Sequence, residues 1–205
     1  MNSNLHLPVS ILCRSRRTRV KLVLVLLVTG TLQAMSAHAP SHGIVGQPAP
    51  SLSVQDWINL PEGTSSIDVH DLKGKVVYLY CFQSWCPGCH TSGFPTLKAV
   101  YDRFNDDDDV AFLLVQTTFE GEHVNTFARA KEVAKEYDLT IPLGQSGGEG
   151  RRSPLMNSYR TRGTPWTILV DRNGIVRFND FHITPKNATA LMMSLKAEHP
   201  TPERE

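Results

Sequence analysis

Charge of one sign is what this chain has least of. Its 21 lysines and arginines stand against 20 aspartates and glutamates, a formal net charge of +1. No basic stripe runs through the body of the chain, which argues against a general nucleic-acid binder. A phosphate-cradling loop is missing too. Gly147-Gly148-Glu149-Gly150-Arg151-Arg152 is glycine-rich but lacks a Gly-Lys-Ser/Thr ending and does not follow a long buried strand. It reads as a flexible loop. No internal repeat is visible, so solenoid architectures are excluded. The apolar run Leu22–Val28 is too short for a clear membrane span. Cysteine is scarce, with four in 205 residues.

The positive charges that do cluster are N-terminal: Arg14, Arg16, Arg17, Arg19 and Lys21. They precede Leu22–Val28, and small residues follow through Ala39. Basic region, short apolar region and small-residue tail make up a secretory signal over residues 1–39. An uncleaved N-terminal anchor is the alternative. Ala37-His38-Ala39 has the spacing of a cleavage site but would leave Pro40 first, and Ala34-Met35-Ser36 is the other candidate. Arg16-Arg17 resembles a twin-arginine signal, with Arg19 where that pattern wants an apolar residue. Either route predicts export, to a periplasm or beyond. Residues 40–200 then form one domain, and 201–205 a polar tail.

Without residues 1–39, three cysteines remain: Cys81, Cys86 and Cys89. Cys81 lies within the apolar run Val76-Val77-Tyr78-Leu79-Tyr80-Cys81-Phe82 and reads as a small buried hydrophobe. Cys86 and Cys89 belong to Trp85-Cys86-Pro87-Gly88-Cys89-His90. Two cysteines so spaced can close a disulfide or open to a dithiol. If a helix starts at Cys86, its unpaired N–H groups and dipole favour a thiolate there. That thiolate attacks in disulfide exchange, and Cys89, one turn on, resolves the mixed disulfide. Pro87 fits a first helical turn. Three rivals stand beside this reading. One is a structural pair. The second is a zinc site, for which Cys81, Cys86, Cys89 and His90 are crowded along one strand and turn. The third is c-type haem attachment through Cys86-x-x-Cys89-His90, giving a small electron carrier.

Along the chain, residues 40–51 read as an extended linker. Leu52–Trp57 reads as a short strand, and residues 76–82 as a central strand buried on both faces. A helix follows the cysteines through Leu97, Val100, Tyr101 and Phe104, with a kink at Pro95. Asp106–Asp109 form an acidic turn, and residues 110–115 a second buried strand. Gly121–Leu139 reads as a helix with Val124, Phe127, Ala130, Val133 or Ala134, and Tyr137 turned inward. Ile141–Leu143 is expected as an edge strand, and Ser153 as the cap of a short helix through Tyr159. Asn173-Gly174 joins strands 166–171 and 175–181 as a hairpin. A last helix runs from Pro185 to Ala197. Strand and helix alternation predicts an α/β fold with a central mixed sheet flanked by helices, and chemistry at the strand ends where Cys86 falls.

The ordered motifs Gly46-x-x-Ala49-Pro50, Leu72-Lys73-Gly74-Lys75-Val76-Val77, Trp85-Cys86-Pro87-Gly88-Cys89, Gly163-Thr164-Pro165 and Ile168–Gly174 carry a resemblance. Over about residues 45–198 the chain resembles the thioredoxin-like superfamily, in particular exported thiol–disulfide oxidoreductases of the TlpA/ResA type. The resemblance implies a thioredoxin-like sheet with an N-terminal extension and a helical insertion. It implies Cys86 as nucleophile, Cys89 as resolving cysteine and a redox-active Cys86–Cys89 disulfide. Pro165 would be a cis-proline that exposes the Thr164 backbone to a substrate strand, with Trp85, Pro87 and Gly88 supporting the pair. No cofactor and no metal are implied. Partners would be protein thiols or disulfides, such as apocytochrome c, with electrons from a membrane-bound thiol reductase; this favours the reductase direction.

Two departures stand out. Relatives carry a glutamate shortly after the second cysteine, whereas this chain reads Cys89-His90-Thr91-Ser92-Gly93-Phe94-Pro95, one residue longer and without a carboxylate. The buried acid of thioredoxins would fall near Tyr80. His90 is the nearest titratable candidate for a proton role, and the added residue is expected as a helix bulge. A peroxidase on this fold would set its cysteine among Thr and Arg side chains, and copper-delivery relatives space their cysteines more widely.

Overall fold

The computed structural model describes residues 43–199. The expected signal or anchor at 1–39 and the tail at 201–205 lie outside the described residues. No described helix is long and apolar enough to cross a membrane.

Six strands form one mixed sheet. They are β1 (Asp56–Ile58), β2 (Val76–Phe82), β3 (Val110–Thr117), β4 (Leu143–Ser146), β5 (Trp166–Val170) and β6 (Val176–Asp180), in the spatial order β1-β4-β3-β2-β5-β6. β2, β3 and β4 run parallel; β1, β5 and β6 join antiparallel. β2 is central, paired along its length with β3 and β5, and all seven of its residues are buried. That matches a continuous apolar run covered on both faces. Its side chains alternate between two interiors. Tyr78, Tyr80 and Phe82 face one, and Val77, Leu79 and Cys81 the other.

Four helices are α1 (Phe94–Phe104), α2 (Phe127–Glu136), α3 (Pro154–Ser158) and α4 (Pro185–Ala197). Ser153 caps α3 by accepting the Met156 N–H, and α4 has the bounds read from sequence. The hairpin of β5 and β6 forms as expected.

Several local expectations fail for identifiable reasons. The strand at 52–57 shrinks to Asp56–Ile58 because Ser53 takes a left-handed φ of 50°. The helix at 121–139 begins only at Phe127. Asn125 donates from its amide to the Glu120 and Gly121 carbonyls, and the Thr126 hydroxyl accepts the Arg129 N–H as the cap. Side chain–backbone bonds of this kind compete with a helix ladder. Val124 is consequently 41% exposed, not turned inward. The strand near Pro142 runs Leu143–Ser146 and is interior, covered by β1 on one side and β3 on the other. Pro142 precedes the ladder and only accepts, from Leu114 N–H. Residues 43–50 are no free linker. Gly46 and Ala49 donate to the carbonyls of Val176 and Gly174, and Ile44 and Ala49 are buried. Gly147–Arg152 closes on itself through paired Gly148 and Arg151 backbone bonds. In the acidic turn, Asp107 pairs with Lys196 and Asp109 with Arg172.

Candidate redox site

The site is built where β2 ends. After Phe82 the chain turns through Gln83–Trp85 and becomes helical at Pro87. Cys86 stands at the cap position. Its carbonyl accepts the Cys89 N–H at 3.1 Å, and its sulfur accepts the same N–H at 3.3 Å. The sulfur occupies the place a serine or threonine oxygen takes at a helix start. Cys86 is 7% exposed and Cys89 fully buried, and both are free thiols. The Cys86 thiol donates to the Thr164 carbonyl at 3.4 Å. The two motifs, 78 residues apart, therefore meet at this sulfur.

Thr164-Pro165 is a cis peptide bond. Pro165 packs on the turns that follow the cysteines. A Cβ on Gly88 would lie 3.2 Å from Pro165 Cδ, and one on Gly93 would lie 2.9 Å from Pro165 Cβ and 1.8 Å from Tyr80 Oη. Gly93 is thus required by close approach, not by backbone conformation.

The added residue is a π-turn over Cys89–Gly93, in which the Phe94 N–H reaches back five residues to the Cys89 carbonyl. α1 follows, with Pro95 in its first turn, where a missing N–H is tolerated. The bulge therefore takes the place of the expected proline kink. Tyr80 donates weakly to the same Cys89 carbonyl, at 3.5 Å. Burial, reinforced by Cys89, keeps its hydroxyl well above its ordinary range.

Burial also pushes the Cys89 thiol up from its ordinary 9.0 to about 12, with the Cys86 thiol adding to the rise. Backbone contact at Gln83 and the Thr164 side chain pull the other way. Cys89 is thus a protonated thiol at neutral pH. Cys81 is raised by burial as well, but it faces the opposite interior.

His90, the titratable residue nearest the missing carboxylate, is held by two neighbours. Its Nε2 lies 2.8 Å from the Ser84 carbonyl and its Nδ1 2.9 Å from Tyr137 Oη. Both nitrogens are thereby engaged. Among the described residues no group of His, Cys, Asp and Glu is arranged to hold a metal ion. Trp85, which precedes Cys86 in the chain, is 47% exposed, and Phe181, 50% exposed, lies near Gly163.

A cis-proline thus packs on the turn that carries the two cysteines, at the end of the central strand, and comparison with known proteins shows the family. The AhpC/TSA family model matches residues 45–179. The chain belongs to the AhpC/TSA family. Two solved structures cover this AhpC/TSA chain well. One, described as a thioredoxin-like superfamily protein, is 33% identical with a TM-score of 0.68, over 75% of this chain and 99% of its own. The other, a thiol-disulfide isomerase from Corynebacterium glutamicum, is 31% identical with a TM-score of 0.64, over 74% and 98%. The fold is thioredoxin-like. Among curated relatives, the thiol-disulfide oxidoreductase ResA of Bacillus cereus is 26% identical over 132 residues, 64% of this chain and 66% of its own length. The thiol:disulfide interchange protein DsbE of Escherichia coli is 25% identical over 135 residues, 66% and 64%. The chain spans about two thirds of the length of these curated relatives.

Cys86, Cys89, Trp85, Pro87, Gly88, Thr164 and Pro165, the residues expected at the site, lie together in the fold, joined by Gly93, Ser84, Gln116 and Tyr137, which were not expected there. Gly93 alone left a signal, as a glycine inside a helical pattern.

Proposed function

We propose that the protein is an exported thiol–disulfide oxidoreductase of the ResA/DsbE type, with Cys86 as nucleophile and Cys89 as resolving cysteine. The observation that carries this reading is the asymmetry of the pair. Cys86 reaches the surface beside the Thr164 carbonyl, whereas Cys89 is sealed behind it with its thiol held near 12.

In the reducing direction, the Cys86 thiolate attacks one sulfur of a partner disulfide. That S–S bond breaks and the partner's other sulfur leaves, taking a proton. A mixed disulfide now joins Cys86 to the partner. Cys89 then loses its proton and attacks Cys86 Sγ, and the partner's second sulfur leaves as a thiol. The balance is one Cys86–Cys89 disulfide formed, one partner disulfide reduced, and two electrons and two protons moved to the partner. A Cys89 held protonated stays silent until the mixed disulfide forms, and the departing sulfur is then the acceptor at hand. The exposed backbone at Thr164 and the Trp85 ring offer an extended partner segment a hydrogen-bonding edge and an apolar platform. Protein disulfides of the envelope, such as that of apocytochrome c, are the proposed substrates, and a membrane-bound thiol reductase the electron source. Engagement of both His90 nitrogens weighs against the haem alternative.

The C89S variant tests this directly. Incubated with a protein disulfide, it should accumulate mixed disulfides through Cys86, seen by mass spectrometry. No adduct, with Cys86 unreactive to alkylation, would sink the proposal. A reduction potential near that of strong oxidants would overturn the reductase direction alone. Rapid peroxide consumption would favour the peroxidase alternative.

A further inference from the structure

The turn carrying Cys86 is gripped on both sides of one residue. The Ser84 N–H donates to Gln116 Oε1 at 3.0 Å, and the Ser84 hydroxyl donates to that same oxygen. Gln116 is fully buried, and its amide is fixed in turn by the carbonyls of Asn125 and Thr126 and by Gln145 Oε1. On the other side, the Ser84 carbonyl lies 2.8 Å from His90 Nε2. A carbonyl only accepts, so Nε2 carries the hydrogen and Nδ1 is left to accept the Tyr137 hydroxyl at 2.9 Å. Tyr137 is itself held, its ring stacked on Phe94 at 4.3 Å between centroids and 12° between planes.

Ser84 lies two residues before Cys86 and His90 one residue after Cys89. The imidazole thus closes a ring around the two cysteines, tying the strand end to the π-turn that begins at Cys89. Resting on the oxidoreductase reading above, we infer that His90 is a positioning residue: through Ser84 and Tyr137 it fixes the spacing of the Cys86–Cys89 pair and so stabilises their disulfide. The sulfurs must come to about 2.05 Å with a restricted dihedral to bond, and a tethered loop spends less conformational freedom reaching that geometry. This assigns His90 a task other than accepting the Cys89 proton.

The variants His90→Leu, His90→Gln and Tyr137→Phe separate the contributions. Glutamine can donate to the Ser84 carbonyl from its amide nitrogen and accept from Tyr137 at its oxygen; leucine can do neither. The equilibrium constant for closing the Cys86–Cys89 disulfide is measured for the full chain in glutathione buffers, with thermal unfolding recorded for each variant. His90→Leu should lower that constant roughly three- to tenfold, the worth of one buried hydrogen bond, and lengthen the life of the Cys86 mixed disulfide. His90→Gln should restore most of it, and Tyr137→Phe should fall between. A folded His90→Leu with the wild-type constant overturns the inference, as does a His90→Gln no better than His90→Leu. Failure of the wild-type chain to form the disulfide in any buffer would instead defeat the oxidoreductase reading itself.

Discussion

The two faces of β2 are made from one seven-residue run, yet they do different work. On one face, Tyr78, Tyr80 and Phe82 join Phe94, Leu97 and both site cysteines. Aromatic rings dominate there: Tyr80 and Phe82 each meet Phe94 edge-on, at 5.2 and 5.0 Å. On the other face, Val77, Leu79 and Cys81 pack among Leu113, Val115, Ile168 and Val170. That side is mostly aliphatic. Cys81 precedes Cys86 by only five residues, but strand alternation sends it to the other interior. A sulfur's chemistry here depends on which side of the sheet it faces, more than on its neighbours in sequence.

The widest contrast should come from the cysteines. Cys86→Ser should reduce disulfide exchange to the uncatalysed background, whereas Cys81→Ala should leave the rate unchanged to within about twofold; insulin reduction measures both. A slow Cys81→Ala would break the division between the faces.

Next in size is the aliphatic face itself. Leu79→Ala removes a fully buried side chain and should cost about 2–5 kcal/mol in chemical denaturation. The reduction potential of the cysteine pair should not move. A shifted potential would show that the two interiors communicate through the strand.

On the redox face, Gly93→Ala should cost about 1–3 kcal/mol by overpacking, because its Cβ would lie 1.8 Å from Tyr80 Oη. It should also move the potential, since Pro165 is displaced with it. Adding Tyr80→Phe should recover part of the stability, which thermal unfolding of the double variant checks.

The smallest effect is a pH dependence confined to the dithiol form. The folded value of Cys89, about 12, lies above the ordinary 9.0. The neutral thiol's contribution is therefore complete below pH 9 and is lost as pH climbs from 9 towards 12. By about pH 10 the dithiol protein should have lost about 1 kcal/mol that Cys89→Ala does not lose. Parallel stability curves for the two proteins would remove burial as the cause.

Much of this face was legible from residue order. A central strand of seven apolar residues and a C-x-x-C at its end point to the site without coordinates, and the distant Thr-Pro joins them through the resemblance to the thioredoxin-like superfamily. The contacts of His90 were not legible, because a residue beside a cysteine in sequence is not thereby beside its sulfur. The π-turn directs it towards Ser84 and Tyr137, and Tyr137 comes from the end of another helix. The start of α2 was misplaced for a local reason. Asn125 and Thr126 hold backbone groups that a periodicity count treats as helical. Pro142 suggested an edge because proline cannot donate to a ladder, but it stands just before β4, where no donor is needed.

By itself the sequence determined the order of strands and helices and the position of the C-x-x-C pair, because apolar periodicity, turn residues and cysteine spacing are local; the proline near it was implied only by the resemblance to the thioredoxin-like superfamily. Only the tertiary structure decided which cysteine is sealed and which reaches the surface. It also decided why Gly93 must be glycine and where His90 spends its nitrogens. Those properties depend on burial and on contacts between segments far apart in the chain, and no local pattern encodes a distance.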